Sequence, residues 1–171
     1  MPRYVALLRG VSPVNAKMPD LKRCFEEAGF TNVKTVLCSG NVIFDARTPS
    51  EASIEKLAEV CMHNLLGRSF YTIVRKADYL QNLLLADPYA AFAPPPNAKC
   101  VVSFLREPRA PKIALPFELD GARILTILNR EIFTAYLPSD KGPVFMTLIE
   151  KAFGTDITTR TWDTVKKCAI A

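Results

Sequence analysis

The chain predicts an α+β fold of antiparallel sheets, and three observations carry that expectation. Short β-branched and aromatic runs recur along its length, amphipathic segments at helical spacing lie between them, and Gly, Asn, Ser and Pro punctuate the joints. At 171 residues, 49% hydrophobic and 23% charged, the chain has the size of one compact domain or two very small ones. No stretch approaches the roughly 20 apolar residues that span a bilayer, and MPR leads straight into a strand without a signal-peptide layout. Those features predict a cytoplasmic protein without membrane contact.

Residues 1–76 read in order. Arg3 to Arg9 is an almost wholly apolar strand, followed by a loop through Val11, Ser12, Pro13, Val14 and Asn15. Pro19 suits the first turn of a helix, Met18, Leu21, Cys24, Phe25 and Ala28 keep helical spacing, and Gly29 ends it. Val33–Leu37 and Val42–Phe44 are strands joined by Cys38, Ser39, Gly40 and Asn41, which is hairpin chemistry. Ser50 caps a second helix whose apolar stripe is Ile54, Leu57, Ala58, Cys61 and Leu65, ending at Gly67. Glu51, Glu55 and Glu59 read as its solvated face. Phe70–Arg75 is a strand again.

Residues 77–98 hold a short helix, Asp78 to Ala86, and the proline-rich connector DPYAAFAPPPNA. Residues 99–171 then repeat the order of the first part. Val101–Leu105 is a strand, and PRAPKIALPF an irregular or single-turn crossover. Ile124–Leu128 and Ile132–Leu137 flank a turn at Asn129–Glu131. Pro143–Phe153 is a helix stopped by Gly154, Ile157–Thr159 a short strand, and a terminal helix starts at Trp162. The prediction is two tandem ferredoxin-like (βαββαβ) halves with antiparallel sheets and a short C-terminal helix. In that topology the first strand ends beside the first hairpin, which puts Arg9 and Gly10 next to Ser39, Gly40 and Asn41. YVALL, VVSFL and ILTIL are apolar on both faces, so both sides of each sheet should be covered. RNA-recognition domains of this topology instead need an exposed sheet with aromatics. Tyr4 and Phe44 could mimic these, but the RNP pattern is missing.

ALLRG, EEAGF, TNVKTVLCSGNVIF and TTRTWDTVKK resemble the family catalogued as domain of unknown function 1697, over essentially the whole chain. The resemblance implies two ferredoxin-like halves in a bacterial protein of cytoplasmic type, and does not by itself imply an activity. The family's Arg-Gly-Ile-Asn-Val-Gly-Gly is here Arg9, Gly10, Val11, Ser12, Pro13, Val14 and Asn15, so the glycine pair is lost. Its Gln-Ser-Gly-Asn is Cys38, Ser39, Gly40 and Asn41, and its Thr-Thr-Arg-Asn-Trp is Thr158, Thr159, Arg160, Thr161 and Trp162.

Cys24, Cys38, Cys61, Cys100 and Cys168 form no CxxC pair and His63 is the single histidine, so metal-ligand spacing is absent and no cofactor is expected. All five cysteines should be reduced thiols. A nucleophilic Cys38 would need a base, and only His63 could serve. Twenty-two basic against 17 acidic residues give +5, without a basic run. The expected partner is therefore a small anionic metabolite or nucleotide, bound by a monomer or homodimer. Nucleic acid or a protein docking on the basic surface is the alternative, and a cofactor-free enzyme a third class. The candidate ligand-binding residues are Arg9, Gly10, Lys17, Ser39, Gly40, Asn41, Arg160 and Trp162, expected in one polar pocket between the halves. Each has a plainer reading. Gly40 would serve the turn, Ser39 and Asn41 would cap the hairpin backbone, and Trp162 would pack on the core.

Overall fold

The apolar run RYVALL forms strand β1 (Arg3–Leu8), and from Tyr4 to Leu8 every residue is buried. The structure is a computed structural model that describes residues 1–47 and 50–171. After β1 come α1 (Met18–Glu27), β2 (Thr31–Val36), β3 (Asn41–Asp45), α2 (Glu51–Leu66), β4 (Thr72–Lys76) and α3 (Ala77–Ala86). The sheet order is β2-β3-β1-β4, antiparallel throughout. Pro19 lies in the first turn of α1, the Ser50 hydroxyl accepts from Ser53 N at 3.2 Å, and Gly67 closes α2 with φ +73°.

Alternation along the strands separates two faces. Tyr4, Ala6, Leu8, Val42, Phe44 and Val74 form one core with Leu21, Cys24 and Phe25 of α1 and Ile54, Ala58 and Met62 of α2. Tyr4 and Phe44 are cross-strand partners stacked at 6.0 Å and fully buried, so neither can stack a base. Val5, Leu7, Ile43, Ile73 and Arg75, on the opposite face, are also buried.

Two expectations about α2 are corrected. Its buried face is Ile54, Glu55, Ala58 and Met62, whereas Leu57 and Leu65 are exposed. Glu55 and Glu59 do not form a solvated face. The Glu55 carboxylate is buried and accepts from Val74 N at 2.9 Å, and that of Glu59 accepts from Thr72 N at 3.2 Å. Since β4 is the last strand of its sheet, these are its outward N–H groups, and α2 supplies the acceptors that a further strand would have provided.

A single 3₁₀ turn at Ala90–Phe92 interrupts the connector. Then follow β5 (Lys99–Phe104), β6 (Phe117–Leu119), β7 (Ala122–Leu128), β8 (Glu131–Tyr136), α4 (Val144–Phe153), β9 (Thr158–Thr161) and α5 (Trp162–Ile170). The second sheet has the order β6-β7-β8-β5-β9. Among the described residues no helix lies between β5 and β7. Three-residue β6 is added on the edge instead, after a crossover that the bidentate Arg109–Asp156 pair (2.6 and 2.7 Å) holds down. Ala122, Ile124 and Ile132 meet Leu148, Ile149, Ala152 and Phe153 of α4 in this sheet's core. The full covering expected of ILTIL holds only for Ile124 and Leu125, because Leu128 at the strand end is exposed. The chain is thus a mixed α+β protein with, among the described residues, five α-helices and two antiparallel sheets. Its two compact units are Met1–Leu85 with Val165–Ala171, and Ala86–Thr164. Among the described residues no helix is long and apolar enough to cross a membrane.

Replacing Glu55 with Ala should cost about 1–3 kcal/mol in urea denaturation, the range for a buried donor left without its partner, and Glu55→Gln should retain most of the lost stability through its amide oxygen. A second prediction concerns acid. The Asp45 carboxyl is held below its usual range, first by the Asn32 amide donating at 2.7 Å and then by the Arg3 guanidinium at 2.9 Å. A depressed folded-state value means that this contribution is full above the ordinary carboxylate range and is lost as pH falls through the folded value. Circular dichroism across acid titration should therefore show a loss of stability below about pH 4, with a flatter acid limb and lower neutral-pH stability in Asp45→Asn.

Candidate ligand-binding site

The end of β1 is placed by its neighbours on both sides. Leu7 pairs with Asn41, Leu8 N donates to Gly40 O at 2.9 Å, and Arg9 N donates to Tyr71 O at 2.8 Å. Arg9 and the hairpin therefore share one end of the first sheet, as the topology requires.

The hairpin is held by its own side chains. Leu37 at φ +61° and Gly40 at φ +84° supply the left-handed residues that bring Val36 and Asn41 into register. The fully buried Asn41 amide donates to Val36 O at 2.9 Å and to Ser39 Oγ at 3.0 Å. A Cβ on Gly40 would stand 2.9 Å from Val11 Cβ and 3.0 Å from Leu8 Cβ. Gly40 thus serves the turn and also the seat on which the loop after β1 rests. Cys38 and Ser39 are exposed at the tip.

That loop is organised by a residue not among the sequence candidates. Asn15 Oδ1 accepts from Ser12 N at 2.9 Å, and Asn15 Nδ2 donates to Gly10 O at 2.8 Å. The backbone N–H groups of Asn15 and Ala16 both donate to Ser12 O. Asn15 was legible only as a turn former, because one side chain bonding both ways along a loop has no sequence spacing of its own. Partly buried Arg9 stands at the loop's start and exposed Lys17 at its end. Lys17 is also the N-cap of α1, where its carbonyl accepts from Asp20 N and Leu21 N at 3.1 Å.

Arg160 and Trp162 belong to the other unit. Arg160 is 8% exposed, and its Nη1 donates to Thr158 Oγ1 at 2.6 Å and to Thr159 O at 2.9 Å. Trp162 packs edge-on against Tyr89 at 5.3 Å and Phe133 at 6.1 Å. The Tyr89 hydroxyl donates to Val101 O, and burial pushes its pKa far above the usual tyrosine range. Among the described residues no group of three His, Cys, Asp or Glu could hold a metal ion. His63 is exposed on α2, and all five cysteines are thiols.

Over residues 1–132 the chain matches the model of a family described as protein of unknown function (DUF1697). It is similar to a solved structure described as a conserved bacterial protein from Streptococcus pneumoniae. Identity is 18% and the TM-score 0.75, with 99% of this chain and 97% of that one covered, a likeness that shows the fold. No curated protein matches it.

Two glycines separate backbone strain from crowding. Gly10→Ala meets nothing within 4 Å and should cost about 1–2 kcal/mol, the left-handed penalty alone. Gly40→Ala carries that penalty and also the clash with Val11 and Leu8, so its urea midpoint should fall clearly below that of Gly10→Ala. Equal midpoints would mean that the loop does not rest on Gly40.

Proposed function

This chain belongs to the DUF1697 family, and for it we propose the function of a binding module for a small anionic metabolite or nucleotide. One observation carries the reading. Asn15 and the Gly40 seat hold the loop from Arg9 to Lys17 in a single shape, with a cation at each end and the solvent-facing hairpin tip beside it. A guanidinium whose backbone is anchored on a strand end suits bidentate capture of a carboxylate or phosphate, and an exposed lysine adds a second, adaptable charge. The overall +5 favours the same class of partner. Arg160 and Trp162 are left out of this site, since their contacts within their own unit account for them.

The fold reading that accompanies this proposal is two ferredoxin-like units. Supporting it are the order β1-α1-β2-β3-α2-β4 on a β2-β3-β1-β4 sheet, and a second sheet in which β7-β8-β5-β9 has the corresponding order with β6 added. A bacterial cytoplasmic setting is part of the same proposal. It is supported by the bacterial source of the structural neighbour and by five cysteines kept as thiols.

Native mass spectrometry of the purified protein, followed by a thermal-shift screen of nucleotides and phosphorylated or carboxylated metabolites, tests the function. A ligand at 100 times its dissociation constant should stabilise the fold by about 2.7 kcal/mol. Arg9→Ala should leave the unliganded protein folded with only a modest loss of stability, and should abolish the ligand-induced rise. If Arg9→Ala unfolds the protein by several kcal/mol without ligand, Arg9 is a structural residue and the site fails. Affinity for a polynucleotide that collapses between low and moderate salt would favour the basic-surface alternative instead.

A further inference from the structure

The second unit has a cavity of about 170 Å³ that the Arg9 site does not explain. It lies on the sheet face opposite the α4 core. Ala122 and Ile124 of β7 enter that core, while Arg123 and Leu125 line the cavity. Across the sheet Arg123 pairs with Glu118 of β6 on one side and with Ala135 of β8 on the other. Directly opposed residues point to the same face, so the three form one row across the cavity floor. Leu125, at the irregularity in β7 between Ile124 and Thr126, lines the cavity as well, and so do Pro94 and Pro95 of the connector.

The chemistry of that row is unusual. Arg123 and Glu118 have opposite charges and face each other across neighbouring strands, yet among the described residues no ion pair joins them. Arg123 is partly buried, and its guanidinium has no hydrogen-bonding partner among the described residues. A partly desolvated cation whose donors are unused favours an incoming acceptor. Glu118 beside it works against a purely anionic guest and favours one that also carries a positive group. The walls of Pro94, Pro95, Leu125 and Ala135 are apolar, and prolines add a stiff surface that binding need not order. As to size, a cavity of about 150 Å³ holds a benzene ring, so one of 170 Å³ takes a single ring or a branched aliphatic group.

We propose that this cavity is a binding site for a free apolar α-amino acid. The carboxylate sits on Arg123, the ammonium on Glu118, and the side chain lies between the connector prolines and Leu125. The proline-rich segment, read from sequence as a connector, then forms one wall of the site.

The test is calorimetric titration of the full-length protein with L-leucine and L-phenylalanine, alongside N-acetyl-leucine and leucinamide. The site predicts saturable binding of at least one free amino acid, and affinity weaker by roughly tenfold or more for each blocked analogue, since each loses one charged contact. That comparison needs no variant. Arg123→Gln should abolish discrimination against leucinamide, and Glu118→Gln should abolish discrimination against N-acetyl-leucine, with folding checked by circular dichroism. Absence of saturable binding of both free amino acids overturns the proposal. So does equal affinity for the free and blocked forms.

Discussion

Everything in the first unit depends on β1 being paired on both edges and buried on both faces. Tyr4 to Leu8 have almost no exposed surface, and β3 and β4 occupy the two edges. A strand in that position cannot slip by one residue, because the shift would exchange the Tyr4, Ala6 and Leu8 face with the Val5 and Leu7 face against neighbours already fitted to each. With its register held, the point at which β1 ends is held too. That is why Gly40 O meets Leu8 N, and why the chain leaves the sheet at Arg9 beside the hairpin.

The sheet edges are managed by different means. At β4 the outward N–H groups of Thr72 and Val74 are taken by Glu59 and Glu55, which satisfies the backbone and places carboxylates where an invading strand would pair. At the far edge of the second sheet β6 is three residues long, too short to template another strand. β9, on the other edge, is tied inward by the contact between the Ser103 and Thr159 hydroxyls at 2.7 Å.

The residues that looked chemical in the sequence divide by what they touch. Asn41 and Gly40 build the hairpin, Arg160 and Trp162 build the end of the second sheet and the start of α5, and Arg9 and Lys17 bracket a loop that Asn15 organises. A polar side chain satisfied within its own turn gives rigidity to its neighbours but offers little to a ligand. In the proposed site the asparagines and glycines are therefore the frame, and Arg9 and Lys17 stand at the two ends of the loop they hold.

Local order was legible from the residues alone wherever the deciding interaction is local. The cap at Ser50, the stop at Gly67, the turn at Gly40 and the apolar strands each depend on neighbours a few positions away, and the structure has them where the pattern put them. Even the approach of Arg9 to the hairpin could be derived, because chain connectivity and handed crossovers leave few routes. Glu55 was misread because a carboxylate at helical spacing looks the same whether it faces water or the edge of a strand, and only packing α2 on β4 makes that choice. Asn15, the seat under Val11 and the row of Glu118, Arg123 and Ala135 were out of reach for the same reason. The sequence by itself determined most of the strands and helices and where they turn, since those are set by short-range sterics, propensity and periodicity, but not β6, whose three residues are a strand only because β7 lies beside them. Only the tertiary structure decided which polar groups are spent on the frame, because that depends on which distant backbone each side chain meets.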